Sequence, residues 1–85
     1  MAKHHKLLQK ALNSPASFRF GDLVTLVRAA GFTLKRITGG HHIFAHPRII
    51  EQLNLQNVKG KAKAYQVKQF IDLVEMYNLP IGENP

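Results

Sequence analysis

Apolar residues fall at Phe20, Leu23, Val24, Val27 and Ala30, steps of three and four that put them on one side of a helix. Ser17 is placed to cap that helix, which begins near Arg19, and Gly31 stands where a left-handed residue closes it. Asp22 in the first turn and Arg28 in the last carry the charges that the helix dipole favours. After Gly31 the period changes. Residues 32–37 alternate apolar and polar over their first four positions, which predicts a strand. Thr38-Gly39-Gly40 predicts a tight turn, because two glycines accept the positive φ of a short hairpin. Residues 41–46 predict a second strand rich in rings, stopped by Pro47. Residues 48–58, with Ile49, Ile50, Leu53, Leu55 and Val58, predict a third strand with an indistinct start, broken at Gly60. The stripe Val67, Phe70, Ile71, Val74 and Tyr77 predicts a last helix over residues 62–78, ended by Pro80 and Gly82. In front, Leu7, Leu8, Ala11 and Leu12 predict a short helix or a weakly docked arm, ended by Asn13-Ser14-Pro15.

The resulting order is α-β-β-β-α. Its simplest packing is an α+β sandwich of two layers, a three-stranded antiparallel sheet with helices on one face. The expected divisions are an N-terminal arm or short helix over residues 1–16, a domain over 17–79 and a frayed tail over 80–85. If Phe44 points into the core, period-two alternation puts His42 and His46 on that inner face and turns His41 and Ile43 to the other side.

Composition narrows the possible functions. At 85 residues the chain allows one small core, which excludes a doubly wound nucleotide-binding sheet, a TIM barrel and a deep enclosed active site. The absence of cysteine excludes disulfides, zinc ribbons and thiol nucleophiles. No run of about 18 apolar residues suggests a membrane span, and no apolar segment follows the basic N-terminus as in a secretory signal, so a cytoplasmic protein with no membrane partner is expected.

Charge changes the picture most. Twelve Lys+Arg against five Asp+Glu give a net +7, a field that favours nucleic acid first, then an acidic protein or an anionic membrane surface. The charge is concentrated. Residues 35–68 carry Lys35, Arg36, Arg48, Lys59, Lys61, Lys63 and Lys68 against Glu51 alone, whereas residues 69–85 are acidic. Lys59, Lys61 and Lys63 fall around the predicted start of the last helix, whose free N–H groups favour a phosphate. Tyr65 beside them could stack on a base or close the core.

Catalytic groups are few. Ser14 and Ser17 fit capping roles and the five acids are scattered, which leaves the histidines. His4 and His5 belong to the basic arm, and His42 with His46 lacks a third partner for a zinc site. No metal or other cofactor is expected. His41 directly follows Gly39-Gly40, where a missing side chain lets a polyanion backbone approach. An exposed imidazole among basic residues is suited to RNA cleavage: it can take a proton from a ribose 2′-hydroxyl or deliver one to the leaving oxygen.

The run Arg19-Phe20-Gly21-Asp22-Leu23 through Ala30-Gly31-Phe32, then Lys35-Arg36 and Gly39-Gly40-His41-His42-Ile43-Phe44-Ala45-His46-Pro47, resembles the HicA mRNA interferase toxins of HicA–HicB type II toxin–antitoxin systems. The similarity covers about residues 17–79. It implies a double-stranded-RNA-binding-like fold, metal-independent cleavage of mRNA that arrests translation, and a HicB-like antitoxin that covers the active histidine. That histidine falls on His41. Where the family has a serine before it, this chain has Gly40.

The leading expectation is therefore an endoribonuclease toxin. His41 is its acid–base group, and Lys35, Arg36, Gly39, Gly40, Lys59, Lys61 and Lys63 hold the RNA backbone. A non-catalytic RNA-binding module of the same fold is the alternative, motivated by Gly40. A protein-interaction adaptor with a basic face is a third.

Overall fold

The computed structural model describes residues 3–81. Along the chain come helix α1 (Lys3–Asn13), a 3-10 turn (Pro15–Ser17), helix α2 (Phe20–Ala29), strands β1 (Thr33–Thr38), β2 (His41–Ala45), β3 (Leu53–Val58) and β4 (Lys61–Ala62), and helix α3 (Ala64–Tyr77). The strands form one antiparallel sheet in chain order, so the fold is α+β. The sheet has four strands where the sequence reading expected three. Gly60 does not end the β-structure. With Lys59 it makes a two-residue turn in which both residues have positive φ (52° and 87°), the pattern of a tight hairpin. That turn folds Lys61 back onto Val58 and Ala62 onto Asn57.

The same short strand explains how α2 begins. Ser17 does not cap it: Ser17 ends the 3-10 turn, and Arg19 holds the N-cap position without a side-chain bond. Residues 18–20 are tied instead to the hairpin. The Phe20 N–H donates to Gly60 O at 2.9 Å, the Ala62 N–H donates to Phe18 O at 2.9 Å, and Arg19 bridges Lys61. The far end of α2 closes as expected. Gly31 has φ +103°, its N–H donates to Arg28 O at 3.0 Å, and the Phe32 N–H donates to Val27 O at 3.2 Å, which together make a Schellman motif.

Two further boundaries differ from the sequence reading. The third strand starts at Leu53, not Arg48. Residues 46–52 form the connection instead, and Ile50 is 93 % exposed there. Helix α3 starts two residues late, because β4 takes Lys61 and Ala62. It ends before Pro80: Asn78 enters the left-handed region (φ 51°, ψ 48°) and the Leu79 N–H donates to Val74 O at 3.0 Å. Gly82, the other expected terminator, and most of the expected tail lie outside the described residues.

One cluster forms the core. From α2 it takes Phe20, Leu23, Leu26 and Val27; from α3, Val67, Phe70 and Leu73; from the sheet, Phe44, Leu53, Leu55 and Ala62. Leu26 and Leu73 were not in the predicted stripes, and Tyr77, which was, is 40 % exposed. Helix α1 packs into the same core. Ala11 is fully buried, and Leu7 and Leu8 rest against the cluster. The core residues of β2 and β3 alternate with His41, Ile43, Asn54 and Gln56, which therefore lie on the sheet face turned away from the cluster.

Candidate active site

The Gly39–Gly40 turn sets the position of His41. Both glycines have positive φ (55° and 82°), so the loop has only two residues and Thr38 pairs directly with His41. Nothing lies within 4 Å of where a Cβ would stand on either glycine, so the backbone there is open to an approaching ligand. His41 is half-buried at the start of β2, opposite Gln56 of β3. Its Nδ1 lies 2.8 Å from Oδ1 of Asn54, its diagonal neighbour on the same face. An amide oxygen can only accept, so this bond requires a proton on Nδ1. In the neutral ring Nε2 then holds the lone pair. Among the described residues no partner engages Nε2, and it is not one of the buried polar atoms lacking a partner. The ring is thus oriented at one nitrogen and open to solvent at the other.

Cations border this face unevenly. Arg36 stands opposite Ile43 and so shares the face with His41. Lys61 stands opposite Val58, which puts it on the same face two strands away, about 10 Å across the sheet. Lys35 occupies the irregularity in β1 where the register shifts between Leu34 and Arg36. The three lysines expected together at a helix start are divided. Lys59 is at a hairpin tip, Lys61 in β4, and only Lys63 at the N-cap of α3, with Nζ 6.0 Å from the centre of the Tyr65 ring. Tyr65 does not close the core; it is 62 % exposed.

The remaining histidines are spent otherwise. His42 is on the inner face, its ring 4.9 Å from that of Phe20, with Nδ1 buried and unpartnered. His46 lies edge-on to Phe32, with ring centres 5.1 Å apart. Its Nε2–H donates to Ala30 O at 3.0 Å, and its Nδ1 accepts the Arg48 N–H at 3.0 Å. His4 and His5 are in the first turn of α1. Among the described residues no three His, Cys, Asp or Glu side chains gather as metal ligands would.

Sequence reasoning did not single out Asn54 or Gln56. The alternation Leu53-Asn54-Leu55-Gln56 carries the signal that both share a polar face. Their nearness to His41 needs the register of β2 on β3, which the long connection between those strands conceals.

Fold and site thus define a small, basic α+β protein with one oriented, half-open histidine on the sheet face away from the helices. No protein-family model matches the chain, and no curated protein or solved structure matches it either. No helix of the described residues is long and apolar enough to cross a membrane.

Proposed function

We propose that the chain is an endoribonuclease toxin resembling the HicA mRNA interferases, with a double-stranded-RNA-binding-like fold, His41 as acid–base group and an acidic HicB-like antitoxin as its control. The observation that carries the reading is the 2.8 Å contact between His41 Nδ1 and Asn54, which leaves Nε2 as a directed proton acceptor beside an unshielded diglycine turn. In the reaction Nε2 takes the proton of a ribose 2′-hydroxyl while that oxygen attacks the adjacent phosphorus. The bond from phosphorus to the 5′-oxygen breaks. The departing oxygen takes a proton back from Nε2–H, leaving a 2′,3′-cyclic phosphate and a 5′-hydroxyl. Asn54 stabilises the charged ring between the two transfers by continuing to accept from Nδ1. No step calls for a metal.

Arg36 and Lys61, on the same face, offer contacts to phosphates on either side of the scissile one. Lys35, Lys59 and Lys63 extend the positive field along the rim, and the net +7 favours capture by an acidic antitoxin. The test is induction of the chain in a bacterium, with and without His41→Ala. Growth arrest and cleaved mRNA that require His41 support the reading. Arrest that persists unchanged in His41→Ala removes His41 from the mechanism, and salt-sensitive RNA binding with no cleavage products makes the protein an RNA-binding module instead.

A further inference from the structure

Gln66, in the first turn of α3, is 2 % exposed and is the buried polar side chain among the described residues. A buried amide is costly unless its groups are paired, and here they are. Its Oε1 accepts the Gln56 N–H at 2.8 Å; its Nε2 donates to Gln56 Oε1 at 3.1 Å and to the Tyr65 hydroxyl at 3.2 Å. Gln56 stands directly opposite His41. A chain of hydrogen bonds therefore runs from the histidine's cross-strand neighbour, through a residue held in the core, to a surface tyrosine.

The consequence is a flat ring tethered at its hydroxyl yet 62 % exposed, with the Lys63 ammonium 6.0 Å from its centre. A pinned aromatic loses little freedom when something stacks on it. A π face beside a cation suits an unpaired nucleobase and its phosphate. In a duplex both faces of a base are already covered.

We propose that Tyr65 is a stacking platform for an unpaired base, so that RNA is taken up as a single strand. This rests on the ribonuclease reading and adds the form of the substrate.

The test uses the full chain and a single-stranded oligonucleotide with 2′-O-methyl riboses, which lacks the attacking hydroxyl, beside a duplex of the same sequence. The protein has two tyrosines and no tryptophan, so in a Tyr77→Phe background its fluorescence reports Tyr65 alone. The single strand is expected to quench that emission. Tyr65→Ala should weaken single-strand binding on the order of tenfold while leaving duplex binding within about twofold. Tyr65→Phe should retain most of the affinity, and Tyr65→Leu, which keeps bulk without a π face, should behave as the alanine variant. Single-strand binding without quenching, or equal losses for strand and duplex, overturns the platform while leaving the ribonuclease reading standing. A wild-type protein that binds neither RNA overturns both.

Discussion

The two ends of β2 each present a histidine, and they are used in opposite ways. At its start His41 spends one ring nitrogen on Asn54 and leaves the other open beside a turn with no side chains. Just past its end His46 spends both, one on Ala30 O and one on the Arg48 N–H, while its ring lies against Phe32. The second arrangement joins the end of α2 to the β2–β3 connection. It also explains Gly31 beyond its φ: a Cβ there would come within 2.8 Å of His46 Nε2. Between these two positions, chemical availability follows from how many ring nitrogens the fold consumes, not from the residue type.

The sharpest way to break this comparison is to remove each ring. His41→Ala should lower RNA cleavage about 10²- to 10⁴-fold, the usual worth of a positioned acid–base group, with an unchanged melting temperature. A fall in stability instead would make His41 a strut like His46. Asn54→Leu should lower the cleavage rate roughly 10- to 100-fold through misorientation of the ring, with little change in KM. Asn54→Asp, which still accepts from Nδ1, should restore much of the rate. The ¹⁵N shifts of the His41 ring check the cause, since loss of the Nδ1–H tautomer in Asn54→Leu is expected whether or not RNA is present.

At the other end the effects should fall on stability. His46→Ala leaves a carbonyl and an N–H without their partner and should cost ~2 kcal/mol in urea unfolding, with cleavage per folded molecule retained. Gly31→Ala should cost roughly 1–3 kcal/mol, and the double variant less than the sum, because removing the ring removes the clash. Additive losses would show that the two residues do not meet.

The smallest effect is expected where the loop after His46 is tied to α3. The Tyr77 hydroxyl donates to both carboxylate oxygens of Glu51, at 2.7 and 2.8 Å. That hydrogen bond, then slight desolvation, then repulsion by the Glu51 charge raise the Tyr77 phenol above its ordinary value. A raised folded value means the contribution is fully present below the unfolded pKa of about 10 and is lost as pH climbs through the folded one. Tyr77→Phe should therefore lower stability slightly and by a constant amount below about pH 10, and flatten the alkaline limb of the stability curve above it, where the wild type loses the same contribution. An unaltered alkaline limb would mean that the pair does not persist in solution.

Local pattern carried much of the fold. The steps of three and four in α2 and α3, the diglycine turn and the left-handed Gly31 all act within a few residues, so they are visible in the linear chain. The alternation through Phe44 likewise separated His42 from His41. The misses involve distant backbone. Ser17 lost its capping role because residues 18–20 pair with a hairpin some forty positions later. Lys61 and Ala62 became a strand because Lys59 accepted a positive φ that its side chain disfavours. Gln66 lay outside the predicted stripe, and its burial depends on the partner that Gln56 of β3 supplies.

An α+β chain of strong positive charge with a histidine at the lip of a glycine turn is legible in the linear residues, because periodicity, turn chemistry and net charge are short-range or additive properties. The amide that orients this histidine, and the buried glutamine that ties β3 to Tyr65, emerge from the folded packing alone. Both depend on strand register and on whether each buried polar group finds a partner across the fold.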